Sequence, residues 1–260
     1  MIRRLNQIKN ELSRLYERKN TIFNKNEFLS RNDEVLLVAN GPSLRDFNFD
    51  ILRAMPAFAA NKIYLLYNNF KWRPDIIFVE DPLVAEQNKK YLNKLEQKLF
   101  VRKDLSDLIC NKNIYEFNSI LEYFGTPRFS FDASRRVYWA SSVVYVMLQF
   151  AFFFGFKRIN IIGLDFSFDT TNLQLFKKTY KQNEKQNYYT SKGEVNHFSE
   201  NYRSPGEKWN FPNLDIQKKG FDLVARIAND FGVEIVNYTP QTQLTSFEVG
   251  DPSKLYFYEH

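Results

Sequence analysis

From Glu34 onward, short runs of apolar residues alternate with stretches of helical periodicity, and this alternation limits the possible folds more than any other feature. Apolar runs typical of buried parallel strands lie at 35–39, 57–66, 75–79, 98–101, 158–162 and 233–236. Helices are predicted between them at about 83–97, 141–154 and 213–231. The alternation predicts an α/β fold: one doubly wound, mostly parallel sheet with helices on both faces.

Two segments fall outside this pattern. Residues 1–31 carry eight Lys and Arg against three Glu, and the apolar residues among them recur at helical spacing: Leu5, Ile8, Leu12, Leu15 and Tyr16. They predict an amphipathic basic helix that packs on the domain at 32–260, pairs with a second copy of the chain or lies on an anionic membrane surface. Residues 166–212 are polar without a clear period, which favours a functional lid over a partly disordered surface loop.

Composition excludes several classes of protein. The single cysteine, Cys110, cannot form an internal disulfide or a cysteine-based metal centre, and favours a reducing, cytoplasmic compartment. The net charge of +6 favours an anionic partner but is modest for a dedicated nucleic-acid binder, so no nucleic acid is expected. No signal peptide is predicted, and the most apolar stretch, 143–156, is shorter than the roughly 18 to 20 residues of a membrane span.

The first predicted strand ends in Asn40-Gly41-Pro42-Ser43. Gly41 permits a close backbone approach, Asn40 can donate and accept hydrogen bonds, and Ser43 can cap the following turn. The segment matches neither the dinucleotide-binding glycine motif nor the phosphate-binding loop of common ATPases. It indicates a nucleotide site of another kind, or an ordinary turn.

Other polar residues follow later strands or precede a helix, where ligands bind in sheets of this type. They are Asn61, Glu80, Asp81, Ser141, Ser142 and Asp165. The carboxylates after the third strand can accept from ribose hydroxyls, or Asp81 can cap the helix that Pro82 begins. The serine pair at a helix start can bind an anion or act as a plain cap.

His197 lies in the predicted lid and is one of two histidines in the chain. It is the natural candidate for a general base near neutral pH, although a lone histidine is commonly structural. Tyr188 and Tyr189 precede it and could stabilise a leaving group. The sequence has no Asp-x-Asp pair of the kind that holds a metal against a diphosphate, so no metal is expected. If the protein is a nucleotide-sugar transferase, this absence favours a nucleoside monophosphate leaving group.

Three segments together resemble a known family: 38–44, 141–145 and 162–166. They are similar to the nucleotide-site segments of bacterial sialyltransferases of glycosyltransferase family 42. With 209–215 and 237–240 added, they are closer still to the MptE-like domain of bacterial surface-polysaccharide loci, which also occurs in motility accessory factors. The resemblance covers about 35–250 and implies a single Rossmann-like domain with a lid and no metal.

Carried over by position, the resemblance implies that Asn40, Asn61 and Ser142 contact a cytidine nucleotide. Ser167 stands where the sialyltransferases have a phosphate-binding tyrosine. Asn210 stands where they have the catalytic histidine, so His197 would have to act from elsewhere in the lid.

The resulting hypothesis is a metal-independent glycosyltransferase that moves a sialic-acid-like 2-keto sugar acid from a CMP donor to a surface-glycan acceptor, as in lipopolysaccharide or capsule biosynthesis. No cofactor beyond the CMP-sugar is expected. The basic helix would hold the enzyme at the cytoplasmic face of the inner membrane or join it into a homo-oligomer. The alternatives are a pterin diphosphokinase, after which the MptE-like domain is named, and an inactive nucleotide-binding protein of a polysaccharide locus.

Overall fold

The apolar runs of the sequence form neighbouring strands of one parallel sheet. The computed structural model describes residues 33–121, 126–169, 173–176, 188–191 and 194–257. The strands of the main sheet are β1 (Glu34–Val38), β2 (Ala57–Ala60), β3 (Ile76–Val79), β4 (Lys98–Arg102), β5 (Ile114–Phe117), β8 (Arg158–Ile162), β12 (Glu234–Asn237) and β13 (Glu248–Val249). Their order is β13-β12-β8-β1-β2-β3-β4-β5, and every neighbouring pair is parallel. The predicted α/β fold is confirmed.

Three α-helices of the described residues connect the strands: α1 (Pro82–Leu92), α2 (Val143–Phe154) and α3 (Leu214–Phe231). Each begins at a side chain that accepts from the backbone of its first turn: Asp81, Ser142 and Asn213. Short 3-10 helices lie at Pro42–Asp46, Phe49–Ile51, Ile63–Asn68, Lys103–Leu108, Glu200–Tyr202 and Pro252–Leu255.

The sheet is buried on both faces, which explains why its strands are almost continuously apolar. One face packs against α2 and α3, where Phe58, Phe78 and Phe100 meet Phe150 and Phe154 of α2 with ring centroids 5.1 to 6.4 Å apart. The other face packs against α1 and the 3-10 helices. Many of the 26 phenylalanines of the chain therefore lie in the core beside α2.

The predicted strand at 57–66 is wrong beyond its first four residues. The chain leaves the sheet at Ala60, turns at Asn61 with a φ of 50°, and continues as the 3-10 helix Ile63–Asn68. Strands β5 and β13 at the two edges of the sheet have no counterpart in the prediction, because the residues of β5 are mostly half-buried and those of β13 are exposed. The helix predicted at 83–97 ends at Leu92.

The segment 166–212, predicted as a polar lid without a clear period, contains a small antiparallel sheet. Its strands are β9 (Leu173–Phe176), β10 (Tyr188–Ser191) and β11 (Lys208–Asn210), in the order β11-β10-β9. Strands β6 (Ser119–Ile120) and β7 (Val137–Tyr138) form a separate parallel pair. The amphipathic helix predicted at 1–31 lies outside the described residues.

Within the described residues, no helix has both the length and the apolar character needed to cross a membrane. Helix α2, the most apolar, has 12 residues and is buried between the sheet and its neighbours.

Candidate active site

The order in which successive strands are added to the sheet reverses between β1 and β8, which are neighbours in the sheet. From β1 the strands continue through β2 to β5 on one side, whereas β8 leads to β12 and β13 on the other. Such a switch point leaves a crevice at the carboxyl ends of the two strands. A cleft of about 530 Å³ lies there, between the strand ends and the lid, and its size suits a small-molecule ligand.

The turn after β1 is held directly against the turn after β8. The Gly41 N–H donates to the Gly163 carbonyl oxygen at 2.9 Å. The Ser43 N–H and hydroxyl donate to the two carboxylate oxygens of Asp165 at 3.1 and 2.8 Å. The prediction that Ser43 caps the following turn is wrong, since this serine bonds to Asp165 and its 3-10 helix has no side-chain cap. Asp165, whose pKa is raised by burial, lines the cleft while holding this turn.

Three amide side chains in the cleft have a buried oxygen without a hydrogen-bond partner among the described residues. They are Asn40 after β1, Asn61 after β2, and Asn210 at the end of β11. Buried amide oxygens are normally paired, so each is suited to accept a hydrogen bond from a ligand. All three belong to the residues that the sequence predicts to form the nucleotide or catalytic site.

The carboxylates after β3 already have protein partners. Glu80 Oε1 accepts from Arg102 Nη1 at 3.2 Å, and Arg102 also forms two hydrogen bonds with Asp104, at 2.6 and 2.9 Å. Burial raises the pKa of Glu80 to about 7, despite the opposing charge of Arg102. Asp81 caps α1 by accepting from the Leu83 N–H at 2.8 Å, and burial raises its pKa as well.

The two serines before α2 have separate contacts. Ser142 caps α2 by accepting from the Val144 N–H at 3.2 Å. Ser141 has a φ of 58° and its hydroxyl accepts from the Asn213 N–H at 2.8 Å, which ties the start of α2 to the start of α3. Both serines line the cleft, and so does Ser167.

The second half of the lid is docked on the strand ends. The Phe198 N–H donates to the Asn40 carbonyl oxygen at 3.1 Å, and Arg45 Nη2 donates to the His197 carbonyl oxygen at 2.8 Å. Lys62, buried just after β2, donates to the Tyr202 carbonyl oxygen at 2.7 Å and to Glu207 Oε1 at 2.6 Å. These bonds bring His197 into the cleft beside the turn after β1.

His197 is held by a buried carboxylate. Its Nδ1 is 2.9 Å from Glu194 Oε1, and its ring stacks on Tyr202 with centroids 3.8 Å apart. Burial lowers the pKa of His197 to about 4, against the opposing effect of Glu194. Burial alone would raise the pKa of Glu194, but the contacts with His197 and Arg203 hold it below its usual value. An ionised carboxylate accepts the Nδ1–H, so Nε2 carries the lone pair that can take a proton.

Two tyrosines predicted to act on the leaving group lie on the middle strand of the lid sheet. Tyr188 and Tyr189 of β10 pair in register with Asn210 and Trp209 of β11. Their side chains lie outside what the structure describes.

Sequence reasoning found the strand-end residues and His197 but missed the groups that surround His197. Glu194, Arg203 and Lys62 are buried and charged, and their partners are distant in sequence or in the lid. The one signal available was the spacing of three residues between Glu194 and His197. Among the described residues, no group of three or more His, Cys, Asp or Glu side chains is arranged to hold a metal ion.

The family model described as 6-hydroxymethylpterin diphosphokinase MptE-like matches residues 3–171. No curated protein matches the chain significantly.

Two solved structures share the fold. One is the monofunctional alpha-2,3-sialyltransferase Cst-I from Campylobacter jejuni, with a TM-score of 0.50, 16% identity, and coverage of 87% of this chain and 83% of that one. The other is the MAf glycosyltransferase from Magnetospirillum magneticum AMB-1, with a TM-score of 0.50 and 14% identity over 87% of this chain. The match spans 34% of the length of the latter protein. At these identities the likeness is one of fold.

Proposed function

The chain belongs to the MptE-like family, and from this membership, its fold and its cleft we propose that it is a glycosyltransferase that uses a nucleotide-activated sugar. More narrowly, we propose that it moves a 2-keto sugar acid from a CMP donor to a surface-glycan acceptor. The observation that supports this most is the Glu194–His197 pair, which lies in a cleft where three amide oxygens lack partners among the described residues.

His197 acts as the general base in this proposal. Its Nε2 takes the proton from the acceptor hydroxyl while the hydroxyl oxygen bonds to the anomeric carbon of the sugar. The bond between that carbon and the phosphate oxygen breaks, and CMP leaves with its electron pair. Glu194 keeps the ring in the correct tautomer and stabilises the imidazolium that forms, as the carboxylate does in hydrolase triads.

The strand ends and the start of α2 bind the nucleotide. The amide oxygens of Asn40 and Asn61 accept from the cytosine amino group or from ribose hydroxyls. Ser142 and the first turn of α2 stabilise the departing phosphate, because N–H donors and the positive end of the helix dipole meet there. Tyr188 and Tyr189 are proposed as further groups that stabilise the leaving phosphate.

We also propose that the acceptor is a glycan and that the basic residues 1–30 contact the cytoplasmic membrane surface.

The family description also names a pterin diphosphokinase, which would use ATP and magnesium. The carboxylates available for magnesium at the strand ends have other partners here: Glu80 bonds to Arg102, Asp81 caps α1, and Asp165 bonds to Ser43 through both oxygens. This arrangement favours the glycosyltransferase.

A nucleotide panel in a thermal-shift experiment tests the proposal. CMP or CDP without magnesium should stabilise the protein, by about 2.7 kcal/mol at a hundredfold excess over the dissociation constant. Asn40→Ala should abolish this shift, because it removes a buried acceptor from the cleft. Asn68→Ala serves as the matched control, since Asn68 is exposed and does not line the cleft. Stabilisation by ATP and magnesium alone would favour the kinase, and no response to any nucleotide would refute nucleotide binding.

The low pKa of His197 gives an expected pH dependence. A base with a pKa of about 4 is neutral at pH 6, so kcat/KM should hold down to about pH 5 and fall as the pH approaches 4. Glu194→Gln should move this acid limb to still lower pH, because the Glu194 carboxylate raises the pKa of His197. An acid limb near pH 7 that disappears in Glu80→Gln would identify Glu80 as the titrating group instead.

A further inference from the structure

Arg203 is a buried cation whose side chain has no hydrogen-bond partner among the described residues. Its side chain is 8% exposed and lines the cleft. Within the described residues its one ion pair joins Nε to Glu194 Oε2 at 3.7 Å, which is too long for a hydrogen bond. A guanidinium has five N–H donors, and burying them without acceptors is costly unless a ligand or water accepts from them.

The other buried cations that line the cleft differ from Arg203 in this respect. Arg102 donates to Glu80 and forms a two-pronged pair with Asp104. Lys62 donates to Glu207 and to the Tyr202 carbonyl oxygen. Arg203 is therefore the buried cation, among the described lining residues, that is left to bind an anion.

The guanidinium of Arg203 lies over an aromatic ring, and this contact leaves its N–H groups able to donate hydrogen bonds. Its carbon lies 3.7 Å from the centre of the Trp209 ring, and stacking of this kind fixes the plane without occupying an N–H group. Glu194 lies between Arg203 and His197 and contacts both, so an anion bound at Arg203 would lie near the ring that accepts the proton.

We propose that Arg203 binds the carboxylate of the transferred sugar acid, an assignment that rests on the proposed function. The planar fork of an arginine matches a carboxylate with two parallel hydrogen bonds. In a 2-keto sugar acid this carboxylate is attached to the anomeric carbon, the atom attacked by the hydroxyl that His197 deprotonates. The donor phosphate has separate donors at the start of α2, so Arg203 selects for an acidic sugar.

Titration calorimetry with two ligands tests this role. The ligands are CMP and CMP–N-acetylneuraminic acid, each added without acceptor to the full chain and to Arg203→Met. The variant should bind CMP within about twofold of the unchanged protein but bind the CMP-sugar acid about 10- to 100-fold more weakly, as expected for loss of a charge-assisted hydrogen bond. Arg226→Met is the matched control and should leave both affinities unchanged, since Arg226 is exposed on α3 and does not line the cleft.

The outcomes separate this assignment from the proposed function. Equal weakening of both ligands would show that Arg203 binds the phosphate. Unchanged affinity for both would show that Arg203 has a structural role. Either result overturns the assignment, while CMP binding by the unchanged protein still supports the proposed function. Failure of the unchanged protein to bind CMP would overturn both. Because Arg203→Met leaves Glu194 without its ion pair, Arg203→Lys provides a second variant that keeps the charge, and it should weaken the CMP-sugar acid alone.

Discussion

Replacing His197 by alanine is expected to lower turnover about 10²- to 10⁴-fold and to leave the affinity for CMP nearly unchanged. Among the described residues that line the cleft, His197 is the one histidine, and its Nδ1 contacts the buried Glu194 carboxylate while burial lowers its pKa to about 4. Its loss removes the proton acceptor, whereas the amides of Asn40 and Asn61 remain in place for the nucleotide. Steady-state kinetics of the variant, together with calorimetric titration of CMP, provide the check.

Asn210→Ala is the comparison variant, since the sequence resemblance to the sialyltransferases predicts that Asn210 stands where they have a histidine. Its amide cannot take a proton near neutral pH, so the variant should lose less turnover than His197→Ala. Near-normal turnover in His197→Ala, with a verified donor and acceptor, would eliminate His197 as the base. Asp165 would then be the next candidate, because its pKa is raised and it lines the cleft.

Gly41→Ala is expected to destabilise the protein by about 3 kcal/mol or more. A Cβ at this position would lie 2.6 Å from the Gly163 carbonyl oxygen and would collide with the Asp165 carboxylate. Accommodating it would separate the turns after β1 and β8 and break the bonds from Ser43 to Asp165. Denaturant unfolding measures the loss directly.

Gly206→Ala is the matched control for this effect. Apart from its chain neighbours, no described residue has an atom within 4 Å of a Cβ built at Gly206, so the strain of substitution there comes from its φ of 83°. We expect a cost of about 1 kcal/mol there. Equal destabilisation by the two substitutions would mean that the close approach at Gly41 is unimportant.

The parts of the fold that could be predicted from sequence are those where local pattern and burial agree. The runs that form β1, β3, β4, β8 and β12 are continuously apolar because both faces of the sheet are covered, so their composition predicts buried strands. The strand predicted at 57–66 is too long because Ile63 and Leu66 are buried in a 3-10 helix, and burial there gives the same apolar composition as in a strand. The edge strands β5 and β13 lack this apolar signal.

The site was predictable where residues follow strands directly. Asn40, Asn61 and Asp165 meet at the crevice because parallel strands end at the same edge of the sheet. Glu194 and Arg203 could not be inferred, since a charged residue in a polar segment usually faces solvent. Only the docking of the lid on Asn40, Arg45 and Lys62 makes them buried neighbours of His197.

The most direct measurement is transfer itself, with CMP–N-acetylneuraminic acid as donor, a panel of bacterial surface glycans as acceptors, and EDTA present. CMP release and the gain of one sugar acid by the glycan are followed together by mass spectrometry. We expect equal amounts of CMP and extended glycan, formed without a metal and lost in His197→Ala. Activity that appears only with ATP, magnesium and a hydroxymethylpterin, with no binding of CMP, would contradict the glycosyltransferase and establish the kinase.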